Sequence, residues 1–385
     1  MPDFTFATTR AIVSGAGCSA RLAGIVGPVL GERVLLVTDQ GLRRIGLLDP
    51  ALASLAAAGI QVALYDGVAA DPPEANIRDA VAMARAHGAT GVLAIGGGSP
   101  MDVAKLAALI ARSGEALADV YGVGLATGPR LPLALVPTTA GTGSEATPIA
   151  IVTTGEAEKR GVVSPLLLPD LAVLDADLTL GLPPGVTAAT GVDAIVHAVE
   201  AFTSGSANNN PISRGLARQA LGLLGAHIRT AVADGANRAA REGMLLGSLL
   251  AGQAFANAPV AAVHALAYPI GGQYGVPHGL SNALVLPHVL RFNLPAASTA
   301  YAEIAADAFP DLARVPAAER AGAFIEALAV LGPDLGIPGR LREVGIERDA
   351  LPGLARAAMG QTRLLVNNPR PVTEADALAI YTAAW

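Results

Sequence analysis

Apolar positions follow two alternating patterns in the first half of the chain and a single pattern in the second. Short uninterrupted apolar runs at 34–38, 61–65, 91–95 and 133–136 predict buried strands, and segments 77–86 and 101–112, apolar every three or four residues, predict helices between them. Buried strands alternating with amphipathic helices imply a parallel sheet with crossover helices. Runs at 149–153 and 171–174 predict a further strand pair before Leu182-Pro183-Pro184-Gly185, after which β-branched runs give way to Ala- and Leu-rich segments. A boundary there gives an α/β domain over 1–182 and a helical domain over 183–385. The second half predicts helices at 186–202, 213–233, 238–256, 260–268 and 280–292, with several more after Ala297.

Composition agrees with two packed domains and narrows the partners. A chain of 385 residues exceeds the size at which one core keeps growing, and 52% hydrophobic against 15% charged residues implies much buried surface. The formal charge of -6, with no run of Lys or Arg, offers nucleic acid or an anionic membrane nothing to bind, which leaves small molecules. Mean hydropathy is high at +0.48. Even so, Gly, Pro, Asp or Arg breaks each apolar stretch before about 18 residues accumulate, so no membrane span is expected. Residues 1–10 lack a basic start followed by an apolar core, so the expectation is no secretory signal and a cytoplasmic protein. Cys18 is the sole cysteine, which excludes an internal disulfide and a thiolate cluster and suits a small buried filler.

Four segments carry chemistry. GVLAIGGGSPMDVAK, from Gly91 to Lys105, runs from a strand through three glycines into a helix, with Ser99 expected as N-cap and Pro100 at the first helical position. Gly96, Gly97 and Gly98 remove side chains where backbone N–H groups and a helix N-terminus can meet a pyrophosphate. The spacing is not G-x-G-x-x-G, and alone it fits a tight strand-to-helix turn equally well. PTTAGTGSEAT, from Pro137 to Thr147, also follows a strand, and Thr138, Thr139 and Thr142 offer hydroxyls to a ribose, a phosphate or a nicotinamide amide. Two such loops at strand ends of one sheet are expected at a ligand crevice. Asp39, ending the strand VLLVT, suits an adenosine ribose and repels a 2′-phosphate, favouring NAD over NADP; a surface-loop Asp is the competing reading. In TGVDAIVHAVEAF, Asp193 and His197 stand four residues apart on one helical face, a spacing that chelates but more often marks an ordinary hydrogen-bonded pair. His264 lies near a helix end and His278 in Pro277-His278-Gly279, joined by a glycine-rich turn, whereas His87, His227 and His288 read as solvent or core positions.

Taken together these segments resemble the iron-containing, or group III, alcohol dehydrogenases. The resemblance spans nearly the whole chain, through LPDLAVLDADLTLGLP to NNPRPVT. GGGSPMDVAK matches the family's phosphate-binding motif, PTTAGTGSE its second nucleotide loop, and TGVDAIVHAVEAF, VHALAYPIGG and VPHG its metal-binding signatures. It implies a modified dinucleotide-binding domain and a helical metal-binding domain with the active site in the cleft between them. It further implies one metal ion on Asp193, His197, His264 and His278. Gly97, Gly98 and Ser99 would meet the pyrophosphate, with Gly96 and Asp102 also on the cofactor and Thr138, Thr139, Thr142 and Lys159 on its nucleotide and nicotinamide side. The implied partners are NAD, an alcohol or its aldehyde or ketone, and a second copy of the chain in a homodimer.

The chemistry follows from that ligand set. A metal acting as Lewis acid eases loss of the alcohol proton so that hydride can pass to nicotinamide. Three imidazoles and a carboxylate would fill a tetrahedral zinc site, whereas an ion that takes five or six ligands leaves room for substrate, which makes Fe(II) the first choice and keeps Zn(II) compatible. Many relatives have a proton-relaying histidine four residues after the third ligand; here that position is Tyr268, a poorer base with its ordinary pKa near 10. Phe255, Val260 and Ile149 fit either an apolar substrate pocket or the core. Ala140-Gly141-Thr142-Gly143 argues against a maleylacetate reductase, and the near absence of Lys and Arg from the metal-site segments argues against a lyase of the dehydroquinate synthase type. Intact ligand positions argue against a non-catalytic paralogue.

Overall fold

The computed structural model describes residues 3–155 and 158–385. They fall into two compact units, Ala7–Leu180 and Gly181–Trp385, and the described residues before Ala7 group with the second. There the Thr5 N–H donates to Asn208 Oδ1 at 2.9 Å and Asn208 Nδ2 donates back to the Thr5 carbonyl at 2.9 Å.

In the N-terminal unit the strands are β1 (Ala11–Ser14), β2 (Arg33–Val37), β3 (Gln61–Tyr65), β4 (Gly91–Gly96), β5 (Gly122–Val123), β6 (Leu133–Pro137), β7 (Ile149–Thr154), β8 (Glu158–Val163) and β9 (Leu171–Leu174). The helices are α1 (Leu22–Leu30), α2 (Gln40–Arg44), α3 (Asp49–Ala57), α4 (Glu74–His87), α5 (Gly98–Ser113) and α6 (Leu117–Val120). One sheet has the order β1-β9-β6-β4-β2-β3 with every pairing parallel. Successive side chains of β2 leave opposite faces: Leu35 and Val37 pack with Ile77 of α4 and Val103 of α5, while Val34 and Leu36 pack with Val26 of α1 and Leu55 of α3. Helices cover both faces, which is why these strands read as unbroken apolar runs.

The expected pairing of 149–153 with 171–174 does not form. β7 pairs antiparallel with β8, and β8 with β5, in a separate small sheet, whereas β9 inserts between β1 and β6. Burial explains the separation, because all four β9 residues are buried while β7 alternates between buried and half-buried positions. In the large sheet the order turns back at β2, which lies between β3 and β4. Chain crossovers leave β2 and β4 in opposite directions, so the carboxyl ends of those two strands flank a crevice where open α/β sheets bind ligands.

The C-terminal unit is helical: α7 (Pro184–Thr203), α8 (Pro211–Ala233), α9 (Arg238–Asn257), α10 (Ala262–Tyr274), α11 (His278–Ala308), α12 (Ala317–Asp334), α13 (Leu351–Met359), α14 (Thr362–Leu365) and α15 (Glu374–Ala384). Pro184 and Pro211 open their helices at the position where a missing N–H does no harm, and Asn210 closes a capping box on α8. α7 is the central helix, with every residue from Gly191 to Phe202 buried. The expected stop after 292 is absent, and α11 runs on for 31 residues through Pro287 and Pro295. A proline inside a helix costs about 3 kcal/mol, but Leu284, Val285, Leu290, Tyr301 and Ile304 are buried along α11, and this burial outweighs it. Among the described residues no single helix is long and apolar enough to cross a membrane.

Candidate functional site

In the C-terminal unit, α7 brings Asp193 and His197 to one face, and both are buried. His264 sits in the first turn of α10, and His278 is the first residue of α11, directly after Pro277. Their ligand atoms, one from each of Asp193, His197, His264 and His278, lie within 4.8 Å of one another. The His197 and His264 rings stack with centroids 4.8 Å apart, and the His278 ring tilts against His264 at 5.3 Å. Nε2 of His278 and of His264 lie 3.7 and 3.9 Å from Asp193 Oδ1. Burial pushes the Asp193 carboxyl up, but His197, His278, His264 and the Asn282 amide outweigh it and hold the group below the ordinary carboxylate range.

The donor set fits a divalent cation. One amide nitrogen, Asn282 Nδ2, lies 2.6 Å from Asp193 Oδ1 and 3.3 Å from Nε2 of both His264 and His278, so three electron-pair donors converge on one small volume. A cation is the group that satisfies such a convergence. Phe255 stacks on His197 at 4.3 Å, and the Tyr268 ring lies 5.9 Å from that of His278. Phe255 and Val260 are both buried.

Two buried neighbours escaped the sequence reading. Glu200, three residues beyond His197 on α7, accepts hydrogen bonds from the Val263 N–H at 2.7 Å and from His264 Nδ1 at 2.6 Å. Asn282 follows His278 by one turn of α11. The available signals were an acidic residue inside the otherwise apolar run HAVEAF and the four-residue spacing from His278, neither of which distinguishes a site from a surface without the fold.

In the N-terminal unit, the nucleotide candidates gather at the carboxyl ends of β2, β4 and β6. A Cβ on Gly98 would lie 2.9 Å from Thr142 Cγ2, so the close approach of the two loops there depends on the missing side chain, whereas one on Gly97 would make ordinary contact with Thr139 Oγ1 at 3.6 Å. The Thr138 N–H donates to the Gly96 carbonyl at 3.0 Å. Ser99 is not the N-cap: Gly97 takes that place without a side-chain cap, and Ser99 lies in the first turn of α5. The first N–H groups of α5 are thus left without a capping side chain. Asp39, at the end of β2, accepts from the Leu42 N–H at 3.0 Å and caps α2.

Asp102 and Lys159 are held by the fold. The Asp102 carboxylate accepts from Ser144 Oγ at 2.7 Å and from the Ile151 N–H at 2.9 Å, which ties α5 to the second loop and to β7. Lys105, fully buried, donates to Ser144 Oγ, Thr147 Oγ1 and the Ile149 carbonyl in the same brace. Lys159, on β8 of the small sheet, pairs with Asp71 at 2.6 Å and donates to Thr153 Oγ1 at 2.9 Å. Ile149 lies in β7 and is half-buried.

Comparison with known proteins bears on both units. Residues 9–176 match the family model for iron-containing alcohol dehydrogenase, and residues 187–385 match that for the C-terminal part of the Fe-containing alcohol dehydrogenase family. The chain is 41% identical to long-chain-alcohol dehydrogenase 1 of Geobacillus thermodenitrificans over 96% of its own length and 94% of the relative's. The crystal structure of a 1,3-propanediol oxidoreductase superposes with a TM-score of 0.95 at 38% identity, covering 100% of both chains. Sulfoacetaldehyde reductase from Bifidobacterium kashiwanohense, solved in complex with NAD+, gives 0.87 at 28% identity over 99% of this chain and 98% of that one. With both units matched and relatives this similar along the full length, the chain belongs to the iron-containing alcohol dehydrogenase family.

Proposed function

We propose that the protein is an NAD-linked, metal-dependent alcohol dehydrogenase that interconverts a small alcohol and its aldehyde or ketone. The observation that carries this reading is the convergence of Asp193, His197, His264 and His278 on three helices, the first three buried and His278 at the exposed side of the cluster. Those four residues would hold one divalent ion, with Fe(II) the first choice and Zn(II) compatible. Bound there, the ion would supply Lewis-acid polarisation of the substrate oxygen and the nicotinamide would supply hydride chemistry.

The chain's own contribution is positioning. α7, α10 and α11 fix the donor atoms before any ligand arrives, so little ordering remains to be done. Phe255 lies over His197 and keeps water from that side of the ring. Tyr268, whose ring lies near that of His278, is the candidate to relay the alcohol proton in this reading. In the N-terminal unit, the uncapped start of α5 and the threonines of the second loop suit a pyrophosphate and its ribose. Asp39 supports NAD over NADP through its charge at the end of β2. The relative solved with NAD+ supports the same cofactor. A homodimer is the assembly this reading expects.

The test uses the purified chain reloaded without oxygen with Fe(II) or Zn(II), assayed on a panel of primary alcohols and aldehydes with NAD and with NADP. Metal-dependent turnover with a preference for NAD is expected. His278→Ala should lose bound metal and activity together, by about 100-fold, since removing one of four ligands should cost at least the upper end of what losing a supporting residue costs. Full metal occupancy with normal turnover in that variant would remove His278 from the centre.

A further inference from the structure

Glu200 sits between the candidate ligands and the fold. It lies on α7 seven residues after Asp193 and three after His197, on the face that both share, and it is buried. Each carboxylate oxygen takes a different donor. Oε1 accepts from the Val263 N–H at 2.7 Å, in the first turn of α10, and Oε2 accepts from His264 Nδ1 at 2.6 Å. One side chain therefore holds both the start of α10 and the ring that the helix carries. An imidazole that donates from Nδ1 presents a lone pair at Nε2. Nε2 is also the His264 atom that faces Asp193 Oδ1, at 3.9 Å.

Charge gives a second, separate argument. Asp193 and Glu200 place two carboxylates in an interior lined by imidazole rings, and buried charge is unfavourable without compensation. A divalent cation supplies the charge that balances both.

We infer that Glu200 is a positioning residue of the metal centre: it holds His264 in the tautomer that offers Nε2 and provides half of the negative charge that the ion neutralises. The inference rests on the four-ligand reading above. Glu200→Gln keeps the shape and one acceptor oxygen but loses the charge and the second acceptor. Either the Val263 N–H or His264 Nδ1 then loses its partner, or the ring turns its proton toward the ligand cluster.

Two measurements on the full-length chain test this. Nitrogen-15 spectra of the metal-free protein, reading two-bond couplings in the histidine rings, should show His264 of the wild type protonated at Nδ1. The Glu200→Gln variant should lose that signature. Co(II) titration against a competing chelator should show roughly 10–100-fold weaker binding in Glu200→Gln with altered ligand-field bands. Glu200→Asp, which keeps the charge on a shorter stem, should fall between. Unchanged Co(II) affinity and spectrum in Glu200→Gln would overturn the positioning role and leave the ligand set standing. Failure of the wild type to bind one Co(II) would overturn both. A wild-type His264 protonated at Nε2 would overturn the role even if neither variant folded.

Discussion

Tyr268 is the residue at which this chain departs from the pattern it resembles. Its ring lies 5.9 Å from that of His278, one helical turn beyond His264, so it borders the ligand cluster. If the hydroxyl relays the alcohol proton, Tyr268→Phe should lower kcat about 100-fold near neutral pH, the modest end of what positioned proton transfer contributes, with metal content unchanged. Tyr268→His should restore it by supplying a group that titrates near pH 6.5. If the ring only shapes the pocket, Tyr268→Phe shifts KM across an alcohol series and leaves the pH dependence of kcat alone. Superimposable kcat–pH profiles for the wild type and both variants would eliminate the relay. The same scale shows why single residues mislead a sequence reader. Asp39 was legible as a carboxylate at a strand end, but its helix-capping bond to Leu42 depends on the turn that follows.

Helices set the geometry of the metal cluster, and they do so by close approach. A Cβ on Gly279 would lie 2.4 Å from the Ala189 carbonyl oxygen and 3.2 Å from Asp193 Cβ, so α11 meets α7 there with no space for a side chain. The neighbour is helix backbone, which cannot rotate away. Gly279→Ala should therefore push the start of α11, and His278 with it, away from Asp193. The expected result is a loss of about 1–3 kcal/mol from overpacking, read as a lower melting temperature, together with weaker metal binding. A fully folded variant with wild-type metal affinity would show that this contact does not set the ligand geometry. Gly279 was visible in the sequence as part of Pro277-His278-Gly279, but its reason, the backbone of Ala189 ninety residues earlier, was not.

For the whole molecule, pH reaches stability through a buried network in the N-terminal unit. Burial pushes the Glu145 carboxyl up to about 7 against the pull of its own backbone N–H and of Lys105, and both its oxygens are buried. A carboxyl whose folded pKa exceeds its unfolded value of 4.5 binds more protons in the native state between the two. Its contribution is favourable below that window and is lost as pH rises through it to about 7. Glu145→Gln removes this dependence, so the variant should gain melting temperature relative to the wild type as pH goes from 4.5 to 7. The Lys105 ammonium, which burial lowers to about 8, titrates above that window and does not mask the effect. Parallel melting curves across the range would show that Glu145 is not the responsible group.

Local pattern alone determined the parallel sheet, the helical second half and the positions of β2, β3, β4, β6, β7, β9, α4, α5 and the helices from α7 to the start of α11. β1, β5, β8 and the helices α1, α2, α3 and α6 went unread, and the site residues were joined into one set only by the family resemblance. Apolar periodicity records which faces are buried, and Asp–His spacing on one helix is fixed by helix geometry. The tertiary structure decided the rest. It separated β7 from β9, because a strand's neighbour depends on what covers its faces and not on its nearest kin in sequence. It carried α11 through two prolines, because burial along one face outweighed a local penalty. It also brought Glu200 against His264 and Asn282 against Asp193, contacts between residues 64 and 89 positions apart. Such contacts depend on how helices pack, and no local spacing encodes that.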